Sequence, residues 1–205
     1  MKGTFITFEG IDGSGKSTQL HRLAENLRSR GIDLVITCEP GGTPLGRRLR
    51  EAFLETTETV APMAELLSFA ADRAQHVEFL IKPAIAAGRA VISDRYADAT
   101  FAYQGAGRGF PEDKVLQVID LATGGLKPDL TLFFDIPVIV AMARDESQAR
   151  KNRMDEETIE FYDRVRTAYL GIAEREPERF RVVDASGSVD EIQSRVLEMV
   201  LEVLK

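Results

Sequence analysis

Short runs of β-branched and aromatic residues punctuate the chain at Thr4–Glu9, Leu34–Cys38, Ala90–Ser93, Leu130–Phe134 and Arg181–Val183, each bounded by Gly, Asp or Pro. Continuously apolar runs of this kind suit parallel strands covered on both faces. Between them, apolar residues recur three and four apart. Leu20, Leu23, Ala24 and Leu27 form one stripe, closed by Gly31 as a C-cap. Val189, Ile192, Val196, Met199 and Val203 form another, opened by Ser188 with Glu191 three residues on, the spacing of a capping box. Both stripes predict helices packed on a core. Strand and helix alternate without a repeat, a low-complexity tract or a linker, so one domain over residues 1–205 is expected. That domain is a doubly wound α/β fold with helices on both faces of a parallel sheet, and its ligands should lie at the carboxyl ends of the strands.

Composition narrows the partners. With 205 residues, 44% of them hydrophobic, the chain can bury one substantial core. A net charge of −7 argues against a general nucleic-acid or membrane-surface binder, which needs a basic field. No apolar run approaches the roughly 18 residues that span a bilayer. The apolar start of the chain is too short for a signal peptide. Cys38, the single cysteine, cannot form an internal disulfide and suits a reducing compartment. A cytoplasmic protein with neither nucleic acid nor membrane as partner is expected.

The first strand runs into Gly10-Ile11-Asp12-Gly13-Ser14-Gly15-Lys16-Ser17-Thr18, a full match to G-x-x-x-x-G-K-S/T between a strand and a helix. Its glycines allow the backbone to wrap an anion, so Gly10 through Thr18 are candidate ATP ligands. Lys16 can bridge the β- and γ-phosphates, and the Ser17 hydroxyl can coordinate Mg²⁺. The metal-side carboxylate is expected after an apolar strand. Asp94 and Asp135 both qualify, and Asp94 is favoured because Arg95 follows with a guanidinium for a phosphate. Asp135, ahead of Pro137, reads as a helix-capping acid. A regulatory GTPase needs N-K-x-D, which the chain lacks. A small-molecule kinase and a P-loop ATPase acting as a switch or partitioning protein remain. Basic and aromatic residues at the other strand ends favour the kinase, as if a second anionic ligand were held there.

Gly10–Thr18, Glu39-Pro40-Gly41-Gly42-Thr43, Phe69-Ala70-Ala71-Asp72-Arg73, Asp94-Arg95-Tyr96 and Ala102–Gly109, in this order, resemble the thymidylate kinase family over nearly the whole chain. The resemblance implies a P-loop nucleoside monophosphate kinase fold with a five-stranded parallel sheet. It also implies a homodimer and transfer of the γ-phosphoryl group of ATP, with Mg²⁺, to dTMP. Phe69 and Arg73, four apart on one helical face, can stack on a flat base and hydrogen-bond its carbonyl edge. Gln104 offers a donor and an acceptor, matching the N3–H and a neighbouring carbonyl of a pyrimidine. By resemblance Tyr103 lies beneath the sugar, where it excludes a 2′-hydroxyl, and Asp12 touches the 3′-hydroxyl. Arg50 and Arg95 are assigned to the acceptor phosphate, with Lys16 and Arg95 among the catalytic groups. Glu39 is expected to order this wall or the metal's water, and Arg47 and Arg48 to be solvated.

Between Met142 and Tyr169 the chain is densely charged, with Arg144, Asp145, Glu146, Arg150, Lys151, Arg153, Asp155, Glu156 and Glu157. Taken alone, such a run is a solvated helix face. Phosphoryl transfer, however, needs cations that close over ATP, and the phosphate loop carries Ile11 and Ser14 where some relatives have arginine. A lid insertion around 144–156 is therefore expected, with Arg153 and Arg150 catalytic and Arg144 at ATP. Arg153-Met154-Asp155, followed by Phe161, Arg164-Val165-Arg166 and Tyr169, resembles the bacterial subclass with lid arginines. Cys38, Ala99 and Asn152 depart from residues common in the family. His21 and His76 have no sequence partner suggesting catalysis and read as structural.

Overall fold

The structure, a computed structural model, describes residues 3–145, 154 and 157–204. Five parallel strands, β1 (Phe5–Glu9), β2 (Leu34–Cys38), β3 (Ala90–Asp94), β4 (Leu130–Asp135) and β5 (Phe180–Asp184), pair in the order β2-β3-β1-β4-β5. β1 is central and wholly buried. Its side chains alternate between faces, as a two-residue period requires. Ile6 packs in the main core with Leu23, Leu27, Ile192 and Val196, whereas Phe5 joins a smaller cluster with Val77, Ile81, Ile85, Val91 and Tyr96.

The strands differ slightly from the apolar runs. Thr4 falls outside β1, and β3 and β4 each extend one residue, into Asp94 and Asp135. Backbone pairing continues past the last apolar side chain, with Cys38 opposite Asp94 and Asp135 opposite Asp184. Register thereby brings Glu9, Cys38 and Asp94 to one edge of the sheet.

The helices are α1 (Lys16–Ser29), α2 (Pro44–Leu54), α3 (Pro62–His76), α4 (Lys82–Ala86), α5 (Ala97–Thr100), α6 (Glu112–Thr123), α7 (Val138–Asp145), α8 (Ile159–Arg175) and α9 (Val189–Val203). Gly31 follows the end of α1 with a φ of 77°. Ser188 and Glu191 form the capping box of α9. Val189 is a correction: it is 45% exposed, and the buried face of α9 runs through Ile192, Val196 and Val200. A residue at N1 lies on the stripe by spacing but still sits at the helix's open end. Segments Val77–Ile81 and Phe101–Gly107 are π-helical continuations of α3 and α5. The second carries Tyr103 and Gln104 beneath α8. No described helix is long and apolar enough to cross a membrane.

Candidate functional site

Residues 10–15 link β1 to α1 through Gly10, Gly13 and Gly15, all at positive φ. At Gly13 a Cβ would stand 2.0 Å from the Ala141 carbonyl oxygen, so only glycine fits. Gly15 is the N-cap of α1 in the left-handed region and supplies no side-chain cap. The first N–H groups of α1 therefore remain available to an anion. Lys16 is 5% exposed, and its Nζ donates to the Ile11 carbonyl at 3.0 Å and lies 4.0 Å from Asp12. Burial and the nearby Arg95 hold its ammonium below the ordinary lysine value, against the pull of Asp12. Thr18, Arg144 and Val189 line the same cleft, and Arg144 donates to the Ala185 carbonyl at 3.3 Å.

The Ser17 hydroxyl donates to Asp94 Oδ2 at 3.2 Å. Asp94 Oδ1 and the Ser14 hydroxyl are buried without a hydrogen-bond partner among the described residues. Two orphaned oxygens beside an uncapped helix suit a phosphate with a divalent cation. No described group of three or more His, Cys, Asp or Glu could hold a metal, and Mg²⁺ at a phosphate needs only one or two carboxylates, since phosphate and water oxygens complete its shell. The residues present fit Mg²⁺. Asp135, the rival carboxylate, is held instead by Arg166 in a fork at 2.6 and 2.9 Å.

A second cleft adjoins the first, and Asp12 lines both. It is formed by Glu39, Arg50, Phe69, Arg73, Arg95, Ala99, Tyr103, Gln104 and Met154, among others. Arg95 adopts a φ of 70°, rare for a residue with a side chain. This places its guanidinium 2.9 Å from Asp12 Oδ1 and 3.1 Å from the Tyr103 hydroxyl. Burial works to raise the Asp12 carboxyl, but Arg95 and Lys16 overcome it and hold Asp12 below the usual carboxylate range. Arg50 donates to the Pro40 carbonyl at 3.1 Å. The Phe69 ring meets Phe53 edge-on at 4.8 Å, so core packing fixes it in the wall.

Behind that wall lies a buried polar chain. Arg73 Nε donates to Glu39 at 2.8 Å, and its other nitrogens donate at 2.8 Å to Thr100 Oγ1 and the Tyr96 carbonyl. The second Glu39 oxygen lies 2.7 Å from His76 Nδ1, whose Nε2 lies 2.7 Å from Thr37 Oγ1. Gln104 Nε2 donates to Glu65 at 2.9 Å, and Arg108 grips the same carboxylate at 3.1 Å through two nitrogens. Two basic clefts, the second partly aromatic, meeting at one aspartate can hold two anionic molecules end to end.

A sequence model of the thymidylate kinase family matches residues 8–196. The chain belongs to that family. It is 46% identical over 197 residues to the thymidylate kinase of Ectopseudomonas mendocina (strain ymp), covering 96% of this chain and 94% of that one. It is 48% identical over 200 residues to the thymidylate kinase of Cupriavidus metallidurans (strain ATCC 43123 / DSM 2839 / NBRC 102507 / CH34), covering 98% of each. A crystal structure of thymidylate kinase from Ehrlichia chaffeensis superposes with a TM-score of 0.81 at 34% identity, covering 98% of this chain and 100% of that one. The five-stranded parallel sheet flanked by helices is the P-loop nucleoside monophosphate kinase fold of that family.

In this thymidylate kinase family member the predicted residues Asp12 through Thr18 and Arg144 line the first cleft, Asp12 being shared, and Asp94 joins it through Ser17, whereas Gly10 and Ile11 do not line it and Ile11 is buried in the main core. Glu39, Arg50, Phe69, Arg73, Arg95, Tyr103 and Gln104 gather at the second. Arg150, Arg153 and Asn152 lie outside the described residues. Arg73 and Glu39 carry a feature that sequence reading missed: they are salt-bridged to each other, at 2% exposure each. His76 belongs to the same chain of contacts. Glu9 and Glu65 receive no role from the sequence, and Arg108 and Tyr169 enter it only as members of the resembling segments. Glu65 stands four residues before Phe69 and eight before Arg73, so the shared helical face was a usable signal.

Proposed function

We propose that the chain is an ATP-dependent dTMP kinase that moves the γ-phosphoryl group of ATP onto the 5′-phosphate of dTMP, giving dTDP and ADP. Family membership supports the reaction, and the meeting of the two clefts at Asp12 carries it. A switch or partitioning ATPase needs only the first cleft. The second, with Phe69, Arg73, Tyr103 and Gln104 in its wall, suits a flat base on a sugar phosphate.

ATP phosphates sit on the N–H groups of α1 with Lys16 against the β- and γ-oxygens, and Arg144 lies beside them. Ser17 and Asp94 hold Mg²⁺, which neutralises phosphate charge when bound. Arg50 and Arg95 grip the acceptor phosphate, Asp12 meets the 3′-hydroxyl, and Tyr103 closes the space a 2′-hydroxyl would need. Phe69 and Arg73 take the base. Glu39 orders this wall through Arg73. The acceptor oxygen is already charged, so no strong general base is needed and in-line positioning of two polyanions is the chief task. Arg153 and Arg150, in a lid spanning about 144–156, supply the cation that the loop lacks at Ile11 and Ser14.

The working form is a homodimer of single kinase domains. Met63 and Leu67, one turn apart on α3, are 49% and 53% exposed, and Leu45 on the neighbouring α2 is 47% exposed, which supports a second copy as their cover. Both substrates are polyanions that do not cross membranes unaided, which supports a cytoplasmic location.

An ADP-release assay across nucleoside monophosphates tests the reading. dTMP should be the best acceptor, ATP should turn over little without one, and Lys16→Ala should lower turnover by a factor on the order of 10²–10³. Faster transfer to purine monophosphates, or rapid hydrolysis without an acceptor, sinks it.

A further inference from the structure

Gln104 is 1% exposed and lines the acceptor cleft, whereas Glu65, fully buried at 0%, does not reach it. Arg108 holds Glu65 with Nε on one carboxylate oxygen and Nη2 on the other, each at 3.1 Å. A carboxylate held in this fork is ionised and only accepts hydrogen bonds. The end of the Gln104 amide that faces it, at 2.9 Å, must therefore be the –NH₂ group. The reverse orientation would set a carbonyl oxygen against a buried carboxylate. The amide oxygen is then left as the acceptor for whatever occupies the cleft.

Arg73, which also lines the cleft, completes the pattern: a guanidinium only donates, and with Nε on Glu39, Nη1 on Thr100 and Nη2 on the Tyr96 carbonyl, the second hydrogen of Nη1 or Nη2 is the one left for a ligand. The wall thus presents a donor at Arg73 and an acceptor at Gln104. A 4-oxopyrimidine shows the complement, a C4 carbonyl beside an N3–H. Cytosine shows the opposite, a 4-amino donor beside an unprotonated N3.

Resting on the dTMP kinase reading, we infer that Glu65 is a specificity-determining positioning residue, which selects 4-oxopyrimidine over 4-aminopyrimidine monophosphates by fixing the orientation of the Gln104 amide. Without it, the amide can rotate by half a turn at nearly constant shape and offer –NH₂ to cytosine N3. Glu65 touches no substrate. Its effect on base choice is routed through Gln104, whereas its Arg108 partner leads to Glu157 and Met154, a path that persists when Gln104 is removed.

The test is the ratio of kcat/KM for dTMP to that for dCMP. In Glu65→Gln, which can face Gln104 with either end of its own amide, this ratio should fall about tenfold or more, with the loss for dTMP in KM rather than kcat. In a Gln104→Leu background, Glu65→Gln should change the ratio no further, since the group it orients is gone. An unchanged ratio in the single variant, or an additive loss in the double, overturns the inference. If Glu65→Gln, which leaves Arg108 to Glu157 alone, fails to fold, Glu65→Met with Arg108→Met removes the Glu65–Arg108 pair and is judged on the same ratio. A wild-type enzyme that itself prefers dCMP or a purine monophosphate refutes the kinase reading; a wild-type preference for dTMP that survives loss of Glu65 refutes this inference alone.

Discussion

Glu9 ends β1 with no exposed surface, accepting from the Tyr96 N–H and the Tyr169 hydroxyl, each at 2.8 Å. Burial, reinforced by the nearby Asp98, pushes its carboxyl from an ordinary 4.5 up to about 8. Asp72, raised to about 6 by burial and Glu39, behaves alike. Both shifts act in one direction on stability. Between about 4.5 and about 8 the folded chain keeps a proton on Glu9 that the unfolded chain has lost, so this group's contribution to stability falls as pH rises through that window. Glu9→Gln can accept from the Tyr96 N–H with its carbonyl and donate to the Tyr169 oxygen with its –NH₂, without titrating. Relative to wild type, the variant's melting temperature should rise steadily from pH 5 to pH 8, and a constant difference across that range would rule the shift out. In sequence Glu9 is one charge at the end of an apolar run. Nothing local tells that its neighbours close over it.

Among the elements, α1 and α9 show how local chemistry meets function. Ser188 caps α9 with its own hydroxyl, whereas Gly15 leaves α1 uncapped, which weakens that helix's isolated stability and keeps its N–H groups for a phosphate. At the end of α7 the chain enters the segment expected to act as the lid. Arg153→Ala should lower kcat by a factor on the order of 10² or more while raising KM for dTMP far less, because its guanidinium is needed as charge spreads in the transition state. Steady-state kinetics with dTMP varied at saturating ATP separates the two. A loss confined to KM would move Arg153 from the moving phosphoryl group to acceptor binding and leave Arg150 as the catalytic arginine.

For the whole molecule, the proposed homodimer rests on the exposed apolar positions on α2 and α3. Leu67→Glu places a charge where the second copy is expected to bury a leucine, which should shift the protein from dimer to monomer in sedimentation at micromolar concentration. A wild-type protein that already sediments as a monomer at that concentration removes the homodimer from the reading.

The sequence by itself determined the alternation of strands and helices, the phosphate loop and the residues that line the second cleft, because each rests on local spacing. A two-residue or 3.6-residue period, a run of glycines before a lysine, and a pair four apart on a helix are all complete within a few neighbouring residues. Strand order and the chain of partners behind the site were decided only by tertiary structure. Asp94 gained its Ser17 contact, and Asp135 its Arg166 fork, from elements 77 and 31 residues away. The orientation of Gln104 likewise depends on Glu65, 39 residues earlier on another helix. Such polar partners have no period to betray them. They are selected by burial itself, since a charge removed from water must find its complement wherever the fold has brought one.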